Sequence, residues 1–463
     1  MNSLVTDLGP LDPVETLLRF QDQPGLSFLD SAMAHAELGR FSFLSADPFA
    51  EIAVRDGRLF LDGVARPGHP LEALRAVLAP LRTDTLPGLP PFQGGAIGFF
   101  SYEFGHCLER LPEAAIGAGS VPQAAFHLFD WTIAFDHEAG SAWLISTGFP
   151  ESGPARSDRA AARHDAVLAR LRAPLPARPS APPLPWRADA GRDAHEAAVA
   201  RTIDLVLAGD IFQANIARRF SAPLPAGFPP LAFYLDLRAR NPATFAAFLD
   251  FAPVFVASSS PERFLKLAGR QVETRPIKGT APRASDPDQD AAAAAALAAS
   301  VKDRAENVMI VDLMRNDLSR VAEPGSVAVP VLCGVETYAG LHHLVSVVRA
   351  TLRPDCDGLD LVAAAFPGGS ITGAPKVRAM EIIGALEGRA RGVYCGSIGY
   401  LGFDGAMDLN IAIRTVTFAD GEASFQTGGG ITALSDPAAE FAETLTKASR
   451  MLAQPDLAGI GAP

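Results

Sequence analysis

Six prolines fall within the twelve residues from Pro174 to Pro185. Proline has no backbone N–H to donate and fixes φ near about −65°, so this stretch forms neither a helix nor a central strand. An exposed, extended connector is expected, and it divides the chain into 1–150, a Pro-rich connector at 151–190, and 191–455. At 463 residues the chain exceeds the size at which one hydrophobic core stops growing. Two subdomains, or one large interleaved domain, are therefore expected.

Apolar residues make up 48% of the chain and charged residues 20%, an ordinary globular balance. The net charge of −12 argues against nucleic acid and anionic membranes as partners. An anionic substrate must then be met by local positive groups or backbone amides. Cys107, Cys333, Cys356 and Cys395 lack metal-ligand spacing and read as free thiols in a reducing cytosol. Asp7, Asp12 and Glu15 leave no basic-then-apolar leader pattern, and the alanine-rich run at 291–299 lacks the bulk of a membrane span. A soluble cytoplasmic protein is expected.

Before the connector, short apolar runs predict strands, among them 41–44, 58–61 and 131–135. The run from Pro91 to Glu103 predicts a strand whose glycines allow close approach of backbone or rings. A basic, alanine-rich helix is predicted at about 155–173. After residue 190, helices alternate with strands. Asp193 to Leu207 reads as helix and 245–256 as buried strands. Asp286 followed by Pro287, and Asp436 followed by Pro437, each read as N-cap and first helical residue. The first of these helices should run to about Leu318 with a break, and the second to about Leu452.

Both helices carry an acidic pair spaced i, i+3: Asp303 with Glu306, and Glu440 with Glu443. That spacing puts each pair on one face, among apolar neighbours. Should the helices converge, four carboxylates meet, and a hard divalent cation such as Mg²⁺ is the natural counter-charge. Lys447, one turn after Glu443, would face the same space. Gly368 to Lys376, and Gly428, Gly429 and Gly430, look suited to bind an anion through backbone amides. Pro375 stands where a P-loop has glycine, so carboxylate is favoured over phosphate. Arg414 sits in an apolar run that reads as a strand and calls for a bidentate carboxylate, from protein or substrate. Lys278, with Pro276 behind and Gly279 in front, is a held amine that partial desolvation would turn into a nucleophile.

These windows, in this order, resemble the chorismate-utilising enzymes. The resemblance is carried by Lys302 to Leu318, by the Gly373-Ala374-Pro375-Lys376 segment, by Ile413-Arg414-Thr415 and by Gly428 to Thr444. It is dense over about 195–450 and looser over 1–150, the latter then an anthranilate-synthase-like subdomain and 191–455 the chorismate-binding catalytic domain. The fold it implies is α+β, with two large antiparallel sheets packed orthogonally and flanked by helices.

Within the family, Pro276-Ile277-Lys278-Gly279-Thr280 is similar to the aminodeoxychorismate-forming branch, whereas the anthranilate-forming branch usually has alanine for Lys278. Gly369 to Gly373 and Val393 to Tyr400 look like the former too. Gln213 stands where the water-adding members carry a lysine base, and glutamine cannot serve as one. The resemblance implies Mg²⁺ held by Glu306 and Glu443, with Asp303 and Glu440 close behind. Tyr394, Arg414, Lys447 and the amides of Gly428, Gly429 and Gly430 would bind carboxylates, with Thr280, Gln213 and His343 at substrate-facing positions. Glu262 matches the general acid that protonates the leaving 4-hydroxyl, while Lys278 attacks C2 and ammonia later displaces it at C4. No glutaminase nucleophile turn is recognisable, so ammonia is expected from a separate glutamine amidotransferase subunit. Phe28-Leu29-Asp30-Ser31 and Asn241-Pro242-Ala243-Thr244-Phe245 depart from the tryptophan-binding pattern. Anthranilate formation, or a non-catalytic subunit that binds chorismate, are the alternatives.

Overall fold

The computed structural model describes residues 3–33, 38–337 and 340–452. The end of the expected catalytic segment, 453–455, lies outside them. Two twelve-stranded sheets dominate, and their strands pair antiparallel throughout. In the first sheet the order runs Leu4–Gly9, Ser141–Ser146, Trp131–Asp136, Phe41–Ser45, Ser27–Asp30, Phe245–Phe251, Val254–Ser260, Thr415–Ala419, Glu422–Ile431, Gln213–Pro223 and Arg187–Ala188. The second runs from Ile277–Pro282 at one edge, through Leu341–Thr351, to Ser397–Gly402, Gly95–Phe100 and Ala124–Phe129. Each sheet draws strands from both sides of the connector. Ser27–Asp30 pairs with Phe245–Phe251 in one, and Gly95–Phe100 with Ser397–Gly402 in the other.

An apolar layer lies between the sheets, with Phe43, Leu249 and Val256 from the first meeting Ile97, Phe99 and Ile398 from the second. Helices cover the outer faces: Leu17, Val167 and Leu235 pack on the first sheet, and Leu74, Ile310 and Leu361 on the second. This is the expected α+β architecture of two large antiparallel sheets flanked by helices. The Pro174–Pro185 stretch has no regular structure and is anchored by Leu184, buried in the outer core of the first sheet.

The glycine-dense strand owes its place to close approach. A side chain at Gly98 would put its Cβ 1.9 Å from the Ala125 carbonyl oxygen on the neighbouring strand. Gly98→Ala is expected to cost about 3 kcal/mol of stability through overpacking, read as a lowered urea midpoint.

Local signals set the helices that carry the acidic pairs. Asp286 caps Pro287–Ala299 by accepting from the amides of Asp288 and Gln289. Ser300 ends that helix and caps the next, Val301–Ser319, by accepting from Asp303 N. The expected break is thus one residue wide. Asp436 caps Pro437–Ser449 through the Ala439 amide. Arg414 differs from expectation. Met407–Asn410 ends and Thr415–Ala419 begins on either side of it, and it has φ +51°, so it sits in a left-handed turn, not a strand.

Candidate active site

A cavity of about 630 Å³ opens at the edge of the second sheet, and every residue lining it lies between Asn215 and Arg450. On the edge strand Lys278 pairs opposite Leu344 and Thr280 opposite His343, which leaves Gly279 as a bulge with φ +78°. A Cβ at Gly279 would fall 2.9 Å from the Asp303 side chain. Glycine there lets the start of the Val301–Ser319 helix press on the bulge, bringing the lysine and the first acidic pair to one space.

Lys278 is partly buried, and its Nζ donates to the Ser370 carbonyl at 3.1 Å. Burial pushes the amine below the usual lysine range, while Glu306 and Glu262 partly oppose the shift. Glu262 is 5% exposed and accepts from the Ile277 amide at 3.4 Å. Burial raises its carboxyl to about 7, against the pull of Ser370 and Lys278. An amine that loses its proton more readily and a carboxyl that keeps one therefore face the same cavity.

Asp303, Glu306, Glu440 and Glu443 all line that cavity, so the two helices converge. Burial raises the carboxyls of Glu306 and Glu440. Glu306 Oε1 is buried without a hydrogen-bond partner. Ser435 Oγ donates to Glu440 at 2.8 Å, and Lys302 lies 3.7 Å from the same carboxylate. Lys447 lies 2.7 Å from Glu443 and donates to the Gly428 carbonyl at 2.6 Å. Burial disfavours the charged Glu443, but Lys447 and Lys302 outweigh it and hold its carboxyl below the usual range. Among the described residues no three such side chains are yet drawn together as a metal-ligand group.

Gly428, Gly429 and Gly430 form the floor, at the end of the Glu422–Ile431 strand. A Cβ at Gly429 would meet Glu440 Oε2 at 2.8 Å, so glycine admits the carboxylate wall. Tyr394 and Arg414 line the cavity. Among the described residues Arg414 forms no ion pair, so no protein carboxylate supplies its expected bidentate partner. His343 accepts or donates at 2.9 Å to Thr280 Oγ1, and burial with the nearby Arg414 pushes its imidazole down to about 3. It is neutral at physiological pH.

Gln213 is not among the lining residues. It is fully buried behind Gly430, and both atoms of its amide lack hydrogen-bond partners. Gly368 to Lys376 also departs from expectation. Ser370 and Ile371 reach the cavity, whereas a Cβ at Gly368 or Gly369 would collide with Ile411 or Leu313. Lys376 Nζ is engaged by Asp317 at 2.7 Å. Its glycines mainly serve packing. Lys302, Ser370, Asn215 and Arg450 line the cavity too and were not singled out from sequence. For Lys302 and Arg450 a signal existed: each is a cation beside, or one helical turn from, a named site residue.

The model of the chorismate binding enzyme family matches residues 29–453. The chain is 42% identical over 441 residues to aminodeoxychorismate synthase component 1 of Klebsiella aerogenes, spanning 93% of this chain and 94% of the relative. It is 44% identical over 405 residues to anthranilate synthase component 1 of Streptomyces coelicolor, spanning 83% and 77%. The crystal structure of anthranilate synthase component I from Streptococcus pneumoniae matches with a TM-score of 0.81 at 33% identity, over 89% of this chain and 92% of that one. With that breadth of match, and the motif residues gathered around one cavity, the chain belongs to the chorismate-binding enzymes.

Proposed function

We propose that this chain converts chorismate and ammonia to 4-amino-4-deoxychorismate, a precursor of 4-aminobenzoate and folate. The observation that carries the reading is Lys278, an amine with a lowered pKa in the same cavity as a carboxyl held near neutrality. Lys278 attacks C2 of the ring as Glu262 gives its proton to the departing 4-hydroxyl, which leaves as water while both ring double bonds shift. The nitrogen loses a proton, leaving a neutral covalent adduct. Ammonia then adds at C4, both double bonds shift back, and the lysine amine is expelled, taking up the proton that the added ammonia gives away. Tyr394, Arg414, Lys447 and the amides of Gly428, Gly429 and Gly430 orient the two carboxylates of the substrate. Thr280 and His343 act as a hydrogen-bonded neutral pair beside them, and Gln213 supports Gly430 from behind.

The donor chemistry of the carboxylate wall fits Mg²⁺. Its oxygens are hard, Glu306 Oε1 is unpaired, and Glu440 and Glu443 lean on lysines for counter-charge. Glu306 and Glu443 would hold the ion, with Asp303 and Glu440 close behind. When bound it supplies positive charge for the ring carboxylate. Catalysis is assigned to 191–455, ammonia to a separate glutamine amidotransferase subunit, and the site of action to the cytoplasm. Four free cysteines fit that compartment, and among the described residues no helix is long and apolar enough to cross a membrane.

The likeness to an anthranilate synthase component keeps anthranilate formation as the second reading. Mass spectrometry of products from chorismate, ammonium and Mg²⁺ separates the two. Aminodeoxychorismate, which its lyase converts to 4-aminobenzoate, is the expected product. Anthranilate would overturn the reading, and unchanged chorismate would favour a non-catalytic binding subunit. Chelation that leaves turnover untouched would remove the metal assignment.

A further inference from the structure

The cavity extends one helical turn beyond Lys447. Arg450, at the C-terminal cap of the Pro437–Ser449 helix, lines it together with Arg414. Among the described residues Arg450 makes no ion pair and no side-chain hydrogen bond, and neither does Arg414. The two come from distant parts of the chain, a left-handed turn and a helix end. They are close enough to interact: burial and then Arg450 push the Arg414 guanidinium down to about 10, and both arginines disfavour charge on His343.

The cavity therefore carries charge of both signs. Its lining holds Asp303, Glu306, Glu440 and Glu443 and also two guanidiniums that form no ion pair, with Glu262 only partly offsetting the cost of burying Arg414. Two like charges facing one space raise the energy of the free protein, and an arriving carboxylate relieves both. A guanidinium fork also matches carboxylate geometry better than an ammonium does.

We propose that Arg450 is a substrate-binding residue that joins Arg414 in clamping the substrate carboxylate other than the one directed to the acidic residues. In chorismate this is the enolpyruvyl carboxylate, so the inference rests on the reading of chorismate as substrate. The competing account is that Arg450 merely complements the negative end of its own helix.

Calorimetric binding of chorismate and of benzoate to the full chain, with Mg²⁺ and without ammonia, tests it. Benzoate carries a ring carboxylate alone. Arg450→Gln should weaken chorismate on the order of tenfold or more, as expected for losing a charge-assisted contact. Arg450→Lys should weaken it less, and benzoate should change by less than about twofold, having no second carboxylate to lose. Chorismate affinity should also depend less steeply on salt in Arg450→Gln. A helix-end role would instead lower the thermal midpoint and leave both affinities alone, which overturns the inference. Parallel weakening of both ligands overturns it as well. Wild type that binds chorismate while Arg450→Gln matches it overturns this inference alone. Wild type that binds no chorismate overturns the substrate reading, and the inference with it.

Discussion

Replacing Lys278 by alanine should lower ammonia-dependent turnover of chorismate on the order of a thousandfold or more, as loss of a covalent nucleophile does elsewhere. Chorismate binding should change by no more than a few-fold. The side chain makes one hydrogen bond to protein, to the Ser370 carbonyl, and burial already favours the neutral forms of the Glu262 and Glu306 carboxyls beside it, so the fold should persist. Lys278→Arg separates nucleophilicity from charge. Arginine keeps the positive charge but cannot deprotonate in a protein, so it should be as inactive as alanine. Turnover restored by arginine would make the group an electrostatic one. Full activity in Lys278→Ala would mean that ammonia adds directly and that no adduct forms. Mass spectrometry of wild type quenched with chorismate before ammonia is added supplies the positive arm, as protein heavier by the dehydrated substrate.

The lysine was legible from sequence because its frame is local. Pro276 and Gly279 flank it, and the structure turns Gly279 into the bulge that lets Asp303 approach. The acidic helices were legible for the same reason: Asp286, Ser300 and Asp436 satisfy amides within three residues of themselves. What was not legible is non-local. Nothing in 27–30 specifies Phe245–Phe251 as its neighbour, more than two hundred residues away, so whether the chain forms two subdomains or one interleaved pair of sheets stayed open. Arg414 was misread because Ile411 and Ala412 are buried, and Ile413 partly so, as a strand's residues would be. Their burial comes from a turn packed inside the fold, and apolar composition does not distinguish the two. The Gly368 to Lys376 segment misled in the opposite way. Its glycines resemble an anion loop in sequence, yet Ile411 and Leu313 fill the space their side chains would need.

Glu262→Gln should reduce turnover about a hundredfold to ten-thousandfold, the range over which a positioned acid contributes. The amide is nearly the same shape and still accepts from the Ile277 N–H, so a packing account predicts little change where the acid account predicts a large one. The pH profile gives the sharper test. Burial disfavours both charged forms, driving the Lys278 ammonium down and the Glu262 carboxyl up, so their titrations approach each other. The productive pair is a neutral amine with a protonated acid. As the pH falls the amine gains a proton and stops attacking. Above about 7 the carboxyl loses the proton it must donate. Wild-type kcat/KM should therefore be bell-shaped, with limbs that belong to the pair as a unit because both groups share the cavity. Glutamine at 262 removes the proton donor and should flatten the alkaline limb while leaving an acid limb from Lys278. An alkaline limb that survives in Glu262→Gln would assign the acid to another group and leave Glu262 a structural role beneath the edge strand.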